Sequence, residues 1–244
     1  MAEQSFDLKD ASRIYVIGDI HGRLDLLNDV IDKIDLDLKE APAAEAVTVT
    51  LGDYIDRGPD SRGVLERLVH NPFCTPYIPL KGNHEQLLEA FLHNPLVGSK
   101  WRHLGGLETL HSYGVPVSLL MLGKGYREAA DLLRAALPAR HLEFVSSLKV
   151  SASSSSFFLC HAGIRPGIAL ERQSVDDLLW IREEFLNSKL NFGKRVVHGH
   201  TPTDIPEVLA NRINIDTGAY ATGRLTCLVL EGKQHRFLDC EGPY

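Results

Sequence analysis

The chain has 244 residues, 44% hydrophobic and 24% charged, a globular composition with enough apolar material for one substantial core. No apolar run reaches the roughly 18 residues of a membrane span, and a formal charge of −6 without a basic stripe argues against nucleic acid as a partner. The first ten residues carry three acids and no apolar leader segment, and Cys74, Cys160, Cys227 and Cys240 show no C-x-x-C spacing, so free thiols and a cytoplasmic location are expected.

Taken in chain order, Arg13–Ile17 reads as a strand that delivers Asp19 and His21. On an extended strand end, residues two apart face the same way, so Asp19 and His21 are expected to point together. Leu24, Leu27, Val30, Ile31 and Ile34 follow at three- and four-residue spacing, an amphipathic helix. Val47–Leu51 is a second strand, ending at Gly52-Asp53, and a helix follows Pro59-Asp60-Ser61. Tyr77–Leu80 is a third, ending at Gly82-Asn83-His84, with a helix over Glu85–Leu92. Strand, loop and helix thus repeat three times, the pattern of parallel α/β units.

From about 93 to 148 the pattern turns helical, with stretches at Thr109–Tyr113, Arg127–Ala136 and Pro138–Ser147, and reads as a cap-like insertion within one domain spanning 1–244. Ser151–Ser156 reads as a polar hairpin-like turn, and Phe157–Cys160 as a strand presenting His161. One helical stretch over Asp176–Phe185 precedes Arg195–Val197, a strand ending in His198-Gly199-His200. Ile213–Ile215, Leu225–Leu230 and Gln234–Leu238 are expected to be antiparallel strands.

Five of these strand-like runs therefore end in a cluster of Asp, Asn or His, groups that need solvent or a ligand once they leave a sheet edge. Oxygen and imidazole donors converging from several strand ends suit a pair of divalent cations, which points to a two-metal hydrolase. Two such ions also make one spot positive in an acidic chain, so an anionic substrate is compatible with the net charge.

The motifs GDIHG (18–22), GDYIDRG (52–58), GNHE (82–85), HAG (161–163) and GHT (199–201) occur in that order. Together they resemble the calcineurin-like metallophosphoesterases, and within them the bacterial and phage serine/threonine phosphoprotein phosphatases. The resemblance runs from Arg13 to about Leu230. It implies an α/β fold in which two packed central sheets are flanked by helices, α/β/β/α. It assigns Asp19 and His21 to one metal, Asp53 to a bridge, and Asn83, His161 and His200 to the second metal. Mn²⁺ is expected ahead of Fe or Zn²⁺, because the mixed oxygen and nitrogen set suits these better than Ca²⁺. Many metallophosphoesterases carry Gly-His-x-His; here the last position is Pro202, which leaves a coordination position of the first metal open.

The resemblance further implies one-step hydrolysis of a phosphate monoester by a metal-bridging hydroxide. His84 would be the general acid, paired with Asp56, while Arg57 and Arg182 would bind the phosphate oxygens. Arg165 is a further phosphate or rim candidate. His198 and Asp216 are expected behind the ligands, orienting them, and Lys81 and Glu85 are expected to be structural. Trp101, Trp180 and the remaining histidines have no ligand spacing and read as core, insertion or surface residues. The expected substrate is a phosphorylated protein or small phosphoester, with no nucleic acid or membrane partner. A diadenosine polyphosphate hydrolase is the alternative, and a non-catalytic phospho-binding scaffold is a more distant one.

Overall fold

Apolar residues alternate between two burial environments along each central strand, so each strand must be covered on both sides. In the computed structural model, which describes residues 5–8 and 11–238, two stacked sheets with helices outside meet that demand. One sheet has five strands in the order β11 (Gln234–Leu238), β10 (Cys227–Glu231), β2 (Arg13–Ile17), β3 (Ala46–Thr50) and β4 (Tyr77–Pro79). The other has six, in the order β1 (Ser5–Asp7), β5 (Ser151–Ser153), β6 (Phe157–Cys160), β7 (Arg195–His198), β9 (Arg212–Asn214) and β8 (Glu207–Val208).

Ile14 and Val16 of β2 face Leu159 and Val197 in the core between the sheets. Tyr15 and Ile17 of the same strand face a second core under α1 (Leu24–Glu40), α2 (Ser61–Val69) and α3 (Asn83–His93). Phe158 and Cys160 of β6 pack in a third, against α9 (Val175–Trp180) and α10 (Glu183–Leu186). Leu27, Val30 and Ile34 of α1 are fully buried, each contributing about 1.5–3 kcal/mol by leaving water.

The segment after α3 is helical, with α4 (Gly98–Trp101), α5 (Gly106–Ser112), α6 (Ser118–Met121), α7 (Tyr126–Ala136) and α8 (Ala139–Ser147). Its buried residues, among them Trp101, Leu110, Leu133 and Val145, share the core of α1 to α3. No helix among the described residues is long and apolar enough to cross a membrane. Cys74 and Cys160 are free thiols, and Cys240 lies outside the described residues.

Several expectations need correction. The 213–215 segment is not purely antiparallel: β9 pairs parallel with β7 and antiparallel with β8, a strand too short and exposed to signal itself. The helical stretch at 176–185 is two helices, because Ile181 is extended and Arg182 adopts φ −133°, ψ −102°. The third helix begins at Asn83, since Glu85 reaches back to accept from the Gly82 N–H, half of a capping box. The last short helix, α11 (Ala219–Thr222), was also unmarked in the sequence.

Candidate active site

Strands β2, β3 and β4 are parallel in one sheet, and β6 and β7 are parallel in the other. All five motifs follow the C-terminal ends of these strands, where ligands collect in open α/β sheets. His21, Asp53, Asn83, His161 and His200 are all 4% exposed or less.

The carboxylate of Asp53 sits between two groups of donors. Its Oδ2 lies 3.5 Å from His21 Nε2 and 3.6 Å from His84 Nε2, while its Oδ1 lies 3.4 Å from His161 Nε2. Asn83 Oδ1 lies 2.9 Å from both His161 Nε2 and His200 Nδ1, and those two nitrogens are 3.2 Å apart. Two residue groups thus share Asp53 and could each hold a metal ion: His21 with Asp53 and His84, and Asp53 with His161 and His200.

Backbone acceptors fix the imidazole tautomers. His21 Nδ1 donates to the Ile55 carbonyl at 2.8 Å, and His161 Nδ1 to the Leu51 carbonyl at 3.0 Å, so each Nε2 offers a lone pair to the site. His21 Nε2 and Asp19 Oδ1 are buried without a hydrogen-bond partner, as cation ligands would be in the metal-free protein. Burial lowers the pKa of His21, and of His161 to about 3, which keeps both neutral as ligation requires. Burial raises Asp19 and Asp53, with Asp216 adding to Asp19 and Glu85 to Asp53. A donor set with this surplus of buried negative charge fits divalent cations.

The backbone is strained where the ligands are. Among described non-glycine residues, positive φ occurs at His21 (45°), Asp53 (51°), Asp56 (74°), Arg57 (67°), His200 (68°) and Asn71 (38°). Only Asn71 lies outside the motifs, so a cost of about 1–3 kcal/mol per residue is concentrated at the cluster. His21 is therefore not on an extended strand: β2 ends at Ile17, and a turn rather than the pleat aims its ring.

Glu85 explains how Asp53 is held. Its buried carboxylate accepts from the backbone N–H groups of Asp53, Tyr54 and Gly82, at 2.9, 2.8 and 2.9 Å. A Cβ on Gly82 would lie 2.1 Å from Asp53 Oδ1, so only glycine permits this approach.

His84 Nδ1 lies 2.6 Å from Asp56 Oδ2. Burial pushes Asp56 up to about 7 and His84 down to about 3, Arg57 and Arg182 adding to the latter. Both shifts disfavour separated charges, so the pair holds one proton along the short contact. Arg57 Nη2 is 3.5 Å from His84 Nε2, and its guanidinium lies 4.8 Å from the Tyr220 ring centroid. Arg182 Nη1 donates to Thr201 Oγ1 at 3.3 Å, beside His200.

Other candidates are placed differently. Arg165 is not joined to the cluster; it forms ion pairs with Asp177 and Glu184. His198 is fully buried, edge-on to Phe185 at 5.0 Å and 3.4 Å from Arg212, behind the cluster. Asp216 lies near enough to Asp19 for its charge to raise the pKa of that carboxyl, and its Oδ1 accepts from the Gly218 N–H. Lys81 pairs with Glu89.

Trp101, Thr109, Trp180 and Tyr220 were not anticipated. Trp101 and Thr109 both donate to Asp56, Trp180 lies 6.2 Å edge-on from the His200 ring, and Tyr220 lies 5.5 Å from His21. The glycine pair at 105–106, unusual inside a helical insertion, was the one signal of a close approach there.

A sandwich of two mixed sheets with Asp, Asn and His gathered at the strand ends defines a metal-dependent phosphoric ester hydrolase. Residues 12–229 match the calcineurin-like phosphoesterases, and the chain belongs to that family. It is 30% identical to serine/threonine-protein phosphatase 2 of Escherichia coli strain K12, over 87% of this chain and 90% of that one. It is 26% identical to the asymmetrical bis(5'-nucleosyl)-tetraphosphatase PrpE of Oceanobacillus iheyensis, over 95% and 94% of the two chains. A cold-active protein-tyrosine phosphatase from a psychrophilic Shewanella shares the fold, with TM-score 0.61, 15% identity and coverage of 97% and 82%.

Proposed function

We propose that this protein hydrolyses phosphate monoesters of serine and threonine side chains with two divalent cations, Mn²⁺ ahead of Fe or Zn²⁺. The observation that carries this reading is Asp53, whose two oxygens face separate donor groups. Asp19, His21 and Asp53 would hold one cation, and Asp53, Asn83, His161 and His200 the other. Bound cations supply Lewis acidity, drawing charge from the phosphoryl oxygens and lowering the pKa of a water.

The remaining work falls to side chains. Arg57 and Arg182 orient the non-bridging oxygens and offset the charge that builds on them. Water attacks phosphorus in line, and the bond to the leaving oxygen breaks. His84 gives its Nε2 proton to the departing alkoxide as its Nδ1 takes up the proton held on the contact with Asp56, so the imidazole stays neutral and Asp56 is left as carboxylate. The 30% identity to a serine/threonine phosphatase supports a phosphoprotein substrate. Relatives named as bis(5'-nucleosyl)-tetraphosphatases favour a second reading, cleavage of dinucleoside polyphosphates.

The test is a panel assay of the Mn²⁺-loaded protein on a phosphoserine peptide, diadenosine tetraphosphate and p-nitrophenyl phosphate. The peptide should give the highest kcat/KM, and His84→Ala should cost about 10²–10⁴-fold in kcat on it. Faster cleavage of diadenosine tetraphosphate selects the second reading. Turnover of none of the three overturns both.

A further inference from the structure

The insertion reaches into the centre of the site through one short strip, Trp101 to Thr109. Asp56 Oδ2, which holds His84 Nδ1, also accepts from Trp101 Nε1 at 2.6 Å. Asp56 Oδ1 accepts from the Thr109 hydroxyl. The Asp56 N–H donates back to Thr109 Oγ1 at 2.9 Å and to Ser61 Oγ at 3.0 Å. Trp101, Thr109 and Asp56 are all 1% exposed or less, so these donors have no water to replace them.

The strip is shaped for this contact. Gly105 has φ +100° and accepts from the Arg57 N–H at 3.2 Å, and a Cβ there would lie 2.5 Å from that nitrogen. A Cβ on Gly106 would lie 2.5 Å from the Trp101 ring. The indole packs at 5.0 Å against Phe91, on the helix whose first turn carries His84. Two glycines thus let the insertion close over Asp56 and Arg57, with the indole wedged between the carboxylate and α3.

From this geometry we infer that Trp101 and Thr109 are positioning residues for proton donation by His84. With both oxygens engaged from the insertion, the Asp56 carboxylate cannot rotate, and the imidazole it holds keeps Nε2 aimed at the leaving oxygen. Removing the indole N–H leaves a buried carboxylate underpaired and frees the His84 ring to turn. The inference rests on the reading of His84 as the acid.

The leaving group separates positioning from mere stability. An alkoxide needs the proton, whereas p-nitrophenolate departs without it. Trp101→Phe should lower kcat on the phosphoserine peptide by roughly 10–100-fold, the usual cost of losing an orienting partner. KM should stay unchanged, and p-nitrophenyl phosphate turnover should fall by no more than a few-fold. Thr109→Val should act in the same direction and Thr109→Ser should restore the rate, which covers the case in which Trp101→Phe fails to fold. Added to His84→Ala, either substitution should cost nothing further. Equal losses on both esters, or a loss that persists in the His84→Ala background, would overturn the inference.

NMR of the metal-free protein gives an answer independent of turnover. The Trp101 indole proton should resonate far downfield and move upfield in Asp56→Asn. If the wild-type protein hydrolyses no ester, the functional reading fails, and an indole proton unmoved by Asp56→Asn overturns the clamp itself.

Discussion

Glu85 shows how much a site can depend on a residue that touches none of the reacting atoms. Four backbone N–H groups, those of Gly82, Asp53, Tyr54 and Ile55, converge on its buried carboxylate, which burial pushes up to about 7 despite those donors. Glu85→Gln would turn an amide NH₂ toward a row of donors and release the loop that carries Asp53. Mn²⁺ affinity, measured by isothermal titration, should fall by about 10–100-fold, with the fold retained by circular dichroism. At this scale the sequence was most legible where chemistry and position coincide. Asp19, His21, Asp53, Asn83, His161 and His200 each sit at the end of an apolar run and are brought together. Trp101 was read as core, insertion or surface because its contact with Asp56 crosses 45 positions without any local periodicity.

At the scale of elements, α8 is fastened to α2 through Glu66. Its carboxylate accepts from Arg140 Nη2 at 2.7 Å and from His141 Nε2 at 2.9 Å, while His141 Nδ1 meets the Tyr113 hydroxyl at 2.7 Å. The hydrogen bond from Arg140, then that from His141, hold Glu66 down at about 2, against 4.5 for a free glutamate. A depressed carboxylate stabilises the fold above its unfolded value, and the contribution disappears as pH falls through the folded one. Glu66→Gln should therefore melt below the wild type at pH 7, with the two melting curves converging between pH 4.5 and 2. A constant gap across that range would show that the ion pairs are not the cause. Amphipathic helices such as α7 were readable within a residue or two, because their buried face repeats, whereas α1 runs to Glu40, six residues past its last expected apolar position. Strands β1 and β8 were not, since edge strands of two or three mostly exposed residues carry no pattern. The break at Ile181–Arg182 escaped notice because neither residue is a helix breaker; tertiary placement of Arg182 overrides propensity there.

For the whole molecule, the sandwich was legible only through the resemblance its motifs carry: β2, β6 and β10 are apolar on both faces, so their sequences do not say which layer covers which face. Asp19, Asp53 and Asp216 are buried close together, a cost that bound cations would relieve. A cation at a hundredfold excess over its Kd stabilises the native state by about 2.7 kcal/mol. For a chain of this size that corresponds to a Tm rise of about 5–10 °C per ion. Calorimetry with and without a chelator should show that difference, and an unchanged Tm would count against a cation in the cluster.

The division of ligands between two sheets has a bearing on synthesis. Asp19, His21, Asp53 and Asn83 leave the ribosome with β2 to β4, whereas His161 and His200 follow β6 and β7, which are made later. A nascent chain ending before β7 holds five of the six ligands and still lacks His200, so the cluster stays incomplete until that strand has been made. Emergence of His200 behind β7 is thus the step that completes the ligand set.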